Sequence, residues 1–218
     1  MSGGELHIVG AGGYARCVAD IALATSVFEK VVFYDRDAGG PTSMLGAAIK
    51  HEASLFNIAE FGHVIVALGD NSLRQKVVDK IMKARPDLVY PTLIHPRASV
   101  SPYSRGGAGT VIMAGAVVGP NAVLGNHVSI YSSAVVEHDC HVADFVTLAP
   151  SATLGGTVKV GLRSFIGLGA TVNHGVVIGE DTIVGAGAAV VRDCAGSKVL
   201  MGVPAKETRL HEPGNAYL

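Results

Sequence analysis

The sequence predicts a two-part chain of the α/β plus all-β class. A Rossmann-like parallel α/β domain over residues 1–90 leads into a parallel β-helix of hexapeptide repeats over 91–206, with a tail at 207–218. Three observations carry this reading. From Val111 to Cys194 the chain repeats every six residues, fourteen times without a slip. Strand-like and helix-like segments alternate over the first 90 residues, with a glycine-rich turn after the first strand. The composition, with 28 glycines, no tryptophan and only 16% charged residues, suits a Gly- and Val-rich solenoid better than a helical protein.

The repeat justifies the second part. Its second position is aliphatic in every unit, from Ile112 and Val118 to Val184 and Val190, and its sixth is Ala, Val, Ser, Thr or Cys. Each unit reads as a short strand and a turn, and three units close one triangular coil. The aliphatic residue points inward and stacks on its counterpart one coil away, forming a core that no single repeat could bury alone. A sandwich would space its turns at roughly 8–12 residues with variable loops and would lose phase. Val100 lies twelve residues before Ile112, so the register begins there. Ser104–Thr110 reads as an imperfect first coil or a small loop.

In the first part, Glu5–Gly10 is an apolar strand, Arg16–Ala24 has helical apolar spacing, and Lys30–Tyr34 is a second strand ending at Asp35. Val64–Leu68 is a further buried strand, and Ser72–Ala84 an amphipathic helix before Pro86. About 90 residues suffice for one mononucleotide-binding half of a doubly wound fold, which argues against a full dinucleotide site. The turn Gly10-Ala11-Gly12-Gly13-Tyr14-Ala15 follows a strand and opens a helix, the context in which glycines let backbone approach a phosphate. Asp35 is placed to accept hydrogen bonds from a ribose or sugar hydroxyl. A nucleotide-linked small molecule fits this space better than a dinucleotide.

The bulk numbers narrow the partners. Net charge is −1, and no Lys/Arg run reaches the density of a phosphate-backbone footprint, which argues against nucleic acid. No stretch approaches the roughly 18 apolar residues of a spanning helix, and the N-terminus lacks the pattern of a secretory leader. The expectation is a soluble, cytoplasmic protein with no membrane partner. Of the three cysteines, Cys140 and Cys194 occupy the small sixth position, where a packed apolar thiol is expected; Cys17 lies in the first helix.

Polar residues interrupt the repeat at Glu137-His138-Asp139. With Val136 inward, His138 falls at the turn, accessible and flanked by acids that orient an imidazole and raise its basicity. That is the arrangement of a general base working near neutral pH. His174 holds the same place two coils later, on the same edge, roughly 9–10 Å away at the spacing of stacked strands. His127 and His141 fall at strand edges and read as surface residues. Two stacked histidines also raise a zinc site, which needs a third protein ligand. The γ-class carbonic anhydrases, which share this solenoid, take it from a His five residues beyond the second, where this chain has Gly179. No metal is expected.

Taken together, GAGGYAR, ALGDNSLR, SSAVVEHDC, NHGVVIGED and the closing GVPAK resemble one group of proteins over Gly10–Lys206. It is the nucleotide-sugar acyltransferases of the left-handed β-helix superfamily, which include the UDP-N-acetylbacillosamine-forming and perosamine N-acetyltransferases and the sialic acid O-acetyltransferases. The resemblance implies a homotrimer of parallel left-handed solenoids, with active sites between subunits and acetyl-CoA as co-substrate. His138 would be the general base, supported by Asp139 and Glu137, and no covalent acyl-enzyme would form. The family's CoA-facing positions fall on Thr147, Gly156, Leu168 and Ala186, with Thr147 a departure because relatives can carry His there. Its nucleotide-sugar contacts fall on Gly12, Gly13, Tyr14, Asp35, Arg36, Asp70 and Asn71, with Tyr14 standing where relatives often have His.

The function expected from this resemblance is N-acetylation of a nucleotide-linked 4-amino-4,6-dideoxy sugar for surface glycan synthesis. O-acetylation of a sugar hydroxyl, as in the sialic acid branch, is the alternative. A non-enzymatic β-helix scaffold is a third reading, and it needs neither an acid-flanked His nor a ligand-type glycine loop.

Overall fold

The computed structural model describes residues 4–36, 40–59 and 61–215. Residues 1–3 and 216–218, the ends of the N-terminal stretch and of the tail considered above, lie outside them. The chain divides into two compact units, residues 1–96 and 97–218.

The first unit is built on a five-stranded sheet. Strands β1 (Gly4–Val9), β2 (Phe28–Asp35), β3 (Ser43–Met44), β4 (Ala47–His51) and β5 (His63–Val66) lie in the order β3-β4-β2-β1-β5. All neighbours are parallel except β3 and β4. Helix α1 (Gly13–Ala24) connects β1 to β2, and α2 (Asn71–Ala84) follows β5. Leu6, Ile8, Phe33, Val64 and Ile65 from the central strands are buried, and α1 contributes Ala15, Val18, Ala19, Ile21 and Ala22 to its covered face. That face has the three- and four-residue spacing of an amphipathic helix.

Two features differ from the sequence reading. Helix α1 begins at Gly13, a turn before the expected Arg16, so the last glycine of the loop is already helical. The β3–β4 hairpin was not foreseen. Its tight turn places Leu45 at φ 52° and Gly46 at φ 75°. A two-residue hairpin turn favours Asn-Gly or Asp-Gly for those angles, and a leucine there hides the signal.

The second unit is a regular solenoid of two-residue parallel strands forming three sheets. The second sheet runs through Ser99–Val100, Val117–Val118, Val135–Val136, Thr153–Leu154, Thr171–Val172 and Ala189–Val190, each strand pairing with the one 18 residues on. The first sheet repeats the pattern from Val111–Ile112 through Ile183–Val184. The third does so from Arg105–Gly106 to Val177–Ile178. Arg105–Gly106 is therefore a strand of a true first coil and not a loop.

Every second-position aliphatic residue is at most 3% exposed, and every sixth-position residue at most 8%. The fifth residue of each unit turns the corner, and nearly all adopt the left-handed conformation. Asn121 and Asp139, at φ 59° and 58°, are types that tolerate it. One corner column, His127, Phe145, Arg163 and Asp181, is tied together along the axis. His127 stacks on Phe145 at 5.1 Å, and Arg163 Nε donates to Asp181 Oδ1 at 2.7 Å. His127 is thus a buried stacking residue rather than the surface histidine expected.

The end of the chain is also more ordered than the loose tail expected. Lys198–Met201 joins the first sheet beside Ile183–Val184, and Lys206–Leu210 turns back antiparallel along it. His211 N then donates to Ser197 O, and His211 is 5% exposed. The returning strand occupies hydrogen-bonding positions that the end of a parallel solenoid would otherwise leave open.

Candidate active site

The residues singled out from sequence fall on two places, one in each unit. In the first unit they surround the loop between β1 and α1. Gly10 has φ +111°, and a Cβ there would lie 2.9 Å from Ala67 O, so only glycine lets the end of β1 pass β5. Gly12 caps α1 without a side-chain cap, the first turn holds no acidic residue, and nothing lies within 4 Å of a Cβ at Gly12 or Gly13. Exposed amides at a helix N-terminus favour an anion.

Asp35, at the end of β2, accepts the Ala11 N–H through Oδ2 at 2.9 Å. It therefore pins the glycine loop as well as facing a cleft of about 250 Å³, whose wall includes Ala11, Arg16, Ser43 and Met44. Arg16 was not foreseen. It stands on the first turn of α1, where Nε donates to Met44 Sδ at 3.3 Å across to the hairpin. The cation in GAGGYAR, three residues past the last glycine, was the available signal.

The remaining substrate candidates do not line that cleft. Tyr14 is half-buried on α1 and Arg36 is exposed just past β2. Asp70 is the N-cap of α2, its Oδ1 accepting Leu73 N–H at 2.6 Å. Asn71, 1% exposed, accepts from Arg74 Nη2 at 2.9 Å, while Arg74 Nη1 donates to Leu68 O. The stretch GDNSLR thus starts a helix and seats a buried arginine.

In the solenoid, the turn after Val135–Val136 presents His138. Asp139 Oδ2 lies 2.7 Å from His138 Nδ1, and Asn121, one coil earlier, donates Nδ2–H to Asp139 Oδ1 at 3.1 Å. The hydrogen bond from His138, followed by that from Asn121, holds the Asp139 carboxyl below the usual carboxylate range. An ionised Asp139 assigns the proton to Nδ1 and leaves Nε2 as the basic nitrogen. Asn121 escaped the sequence reading, although an 18-residue period sets it beside Asp139. Glu137 is exposed and makes no ion pair with His138 among the described residues; the carboxylate partner is Asp139.

Gly156 sits one coil above His138. A Cβ at Gly156 would lie 2.5 Å from His138 Nε2, so the missing side chain leaves a notch into which the imidazole leans. His174 is the next residue up the edge, one coil beyond Gly156. The two ring centroids are 6.4 Å apart, closer than the 9–10 Å expected from strand spacing, because His138 reaches over the bare glycine.

Leu168 and Ala186 are exposed at the corner between the first and second sheets, stacked one coil apart. Thr147 is set apart from them, 2% exposed on the first sheet. Cys140, two residues past the imidazole, is buried, donates Sγ–H to Gly155 O, and has its thiol pushed up by burial. Among the described residues no group of three His, Cys, Asp or Glu could hold a metal ion, and no helix is long and apolar enough to cross a membrane.

Comparison with known proteins bears on both places. The family described as the PglD N-terminal domain matches residues 5–81. The solved structure of PerB from Caulobacter crescentus in complex with CoA and GDP-perosamine is 38% identical, with a TM-score of 0.88. That match covers 94% of this chain and 98% of that one. The acetyltransferase domain of PglB from Neisseria gonorrhoeae FA1090, in complex with acetyl coenzyme A, is 33% identical with a TM-score of 0.89, covering 94% and 98%. A curated relative, GDP-perosamine N-acetyltransferase of Escherichia coli O157:H7, is 32% identical over 87 residues; the match spans 39% of this chain and 38% of that protein's length.

Proposed function

The chain belongs to the hexapeptide-repeat β-helix nucleotide-sugar acetyltransferases, and on that premise we propose that it moves the acetyl group of acetyl-CoA to the amine of a nucleotide-linked 4-amino-4,6-dideoxy sugar. The observation that carries this reading is the Asn121–Asp139–His138 chain, which ends at an accessible imidazole whose Nε2 leans over the bare Gly156. The relatives solved with acetyl-CoA, or with CoA and GDP-perosamine, support both substrate classes.

In this reading the α/β unit binds the nucleotide through the glycine loop, Arg16 and Asp35, and the solenoid carries the chemistry. The sugar amine attacks the thioester carbonyl while His138 Nε2 takes its proton. The C–S bond then breaks, and the same proton passes from Nε2 to the departing thiolate, so the enzyme ends unchanged. Asp139 holds the ring and stabilises the imidazolium formed in between. Gly156, Leu168 and Ala186 form the surface for the acyl donor, from which the buried Thr147 is left out. The working assembly is a homotrimer, and its product is an intermediate of surface glycan synthesis made in the cytoplasm.

The test is thiol release from acetyl-CoA with UDP-, GDP- and dTDP-linked 4-amino-4,6-dideoxyhexoses and with sialic acid. Turnover of one amino sugar is expected. Turnover of sialic acid alone would replace N-acetylation by O-acetylation. Silence with every acceptor, together with no binding of CoA, would leave a scaffold.

A further inference from the structure

The mechanism above leaves His174 unused, although its ring stands close to that of the base. Its ring lies 6.4 Å from that of His138, tilted by 47°, with only the backbone of Gly156 between the two turns. A groove of about 320 Å³ runs along the outer face of the second sheet across three successive coils, beginning one coil beyond His138. Thr153, Thr171 and Ala189 form its floor, and Asn173, His174 and Val191 stand along its edge. His174 thus stands close to the His138 ring and also lines this groove.

Its surroundings argue against a second base. His174 is flanked in sequence by Asn173 and Gly175, whereas His138 has Asp139 bonded to Nδ1. Among the described residues no carboxylate pairs with the His174 ring; such a ring is poorly suited to collect a proton, but its N–H can donate to a carbonyl. The acyl donor presents such a carbonyl. In a pantetheine arm the amide nearest the thioester is joined to it by a short ethylene link, a reach comparable with the gap between the two rings.

We infer that His174 is a positioning residue for the acyl donor: its imidazole hydrogen-bonds the pantetheine arm in this groove and so holds the thioester carbon beside His138 Nε2. The inference rests on the acetyltransferase reading and adds to it a residue that selects and orients the donor rather than moving a proton. His138 and His174 then divide the work, one on the acceptor amine and one on the donor.

The experiment compares full-length wild type, His174→Ala and His174→Gln, using calorimetric titration with CoA and steady-state kinetics with acetyl-CoA. His174→Ala is expected to weaken CoA binding and raise KM for acetyl-CoA about five- to tenfold, the loss of one hydrogen bond. Its kcat at saturating donor should stay within about threefold, and KM for the acceptor should not move. The amide of His174→Gln should restore most of the donor affinity, which a merely structural role would not predict. CoA affinity within twofold of wild type in His174→Ala would overturn the inference while leaving the acetyltransferase reading intact. A wild-type protein that binds no CoA would overturn the reading itself. If CoA binds and His174→Ala weakens it, the inference stands even where no tested acceptor turns over.

Discussion

At the scale of single residues, the site is a short relay whose parts lie 18 residues apart. Asn121 orients Asp139, Asp139 orients His138, and Gly156 supplies the space into which Nε2 points. Gly156→Ala should fold normally, because the crowding falls on the movable end of a side chain, yet displace the imidazole. We expect kcat to fall at least about tenfold with Tm unchanged, since a misplaced base loses most of its contribution. Equal kcat would show that Nε2 does not work in the notch. The relay also has a pH signature. Asp139 is held below the usual carboxylate range, so its stabilising interactions are complete above that range and are lost only as pH falls through the depressed value. Asn121→Ala removes one of the two donors, and the Asp139 carboxyl should titrate higher, closer to the usual carboxylate range, followed by carbon-13 NMR of the side chain. An unmoved titration would show that Asn121 does not hold the carboxylate.

At the scale of elements, the hexads were legible because one requirement recurs in each unit: an aliphatic residue inward at the second position and a small or medium residue buried at the sixth. All fourteen inward positions are buried as read. Leu154, fully buried between Val136 and Val172, should cost about 2–5 kcal/mol when cut to Ala, seen in chemical denaturation. A denaturation midpoint equal to wild type would contradict the frame. What escaped reading lacked such a rule. The hairpin at Ser43–His51 turns on a leucine in a strained conformation, and the final strand of the chain is defined only by what it closes. The candidate site was legible to the extent that it was local. His138 and Asp139 are adjacent, and the helix N-cap at Asp70 was visible as a polar residue but not as a cap. The period also placed His174 on the edge of His138, but Arg16 and Asn121 were missed until the hairpin and the stacked coils brought their partners together.

At the scale of the molecule, each unit has its own core and carries one candidate site: a glycine-loop cleft with an anchored carboxylate, and a solenoid edge with an oriented imidazole. The solenoid exposes apolar side chains on its outer faces, among them Val117, Val123, Leu168, Val177 and Val191, each between 37% and 51% exposed. Such surface on a regular scaffold suits assembly. Sedimentation equilibrium should find a species of three chains, and a monomer at micromolar concentration would remove the proposed subunit-interface sites.

The central claim, direct acetyl transfer with His138 as the base, is tested most directly by thiol-release kinetics of His138→Asn beside wild type, using whichever amino sugar wild type turns over. The account predicts a fall in kcat of about 10²–10⁴ with CoA affinity and sedimentation unchanged. A variant that turns over within a few fold of wild type would contradict it.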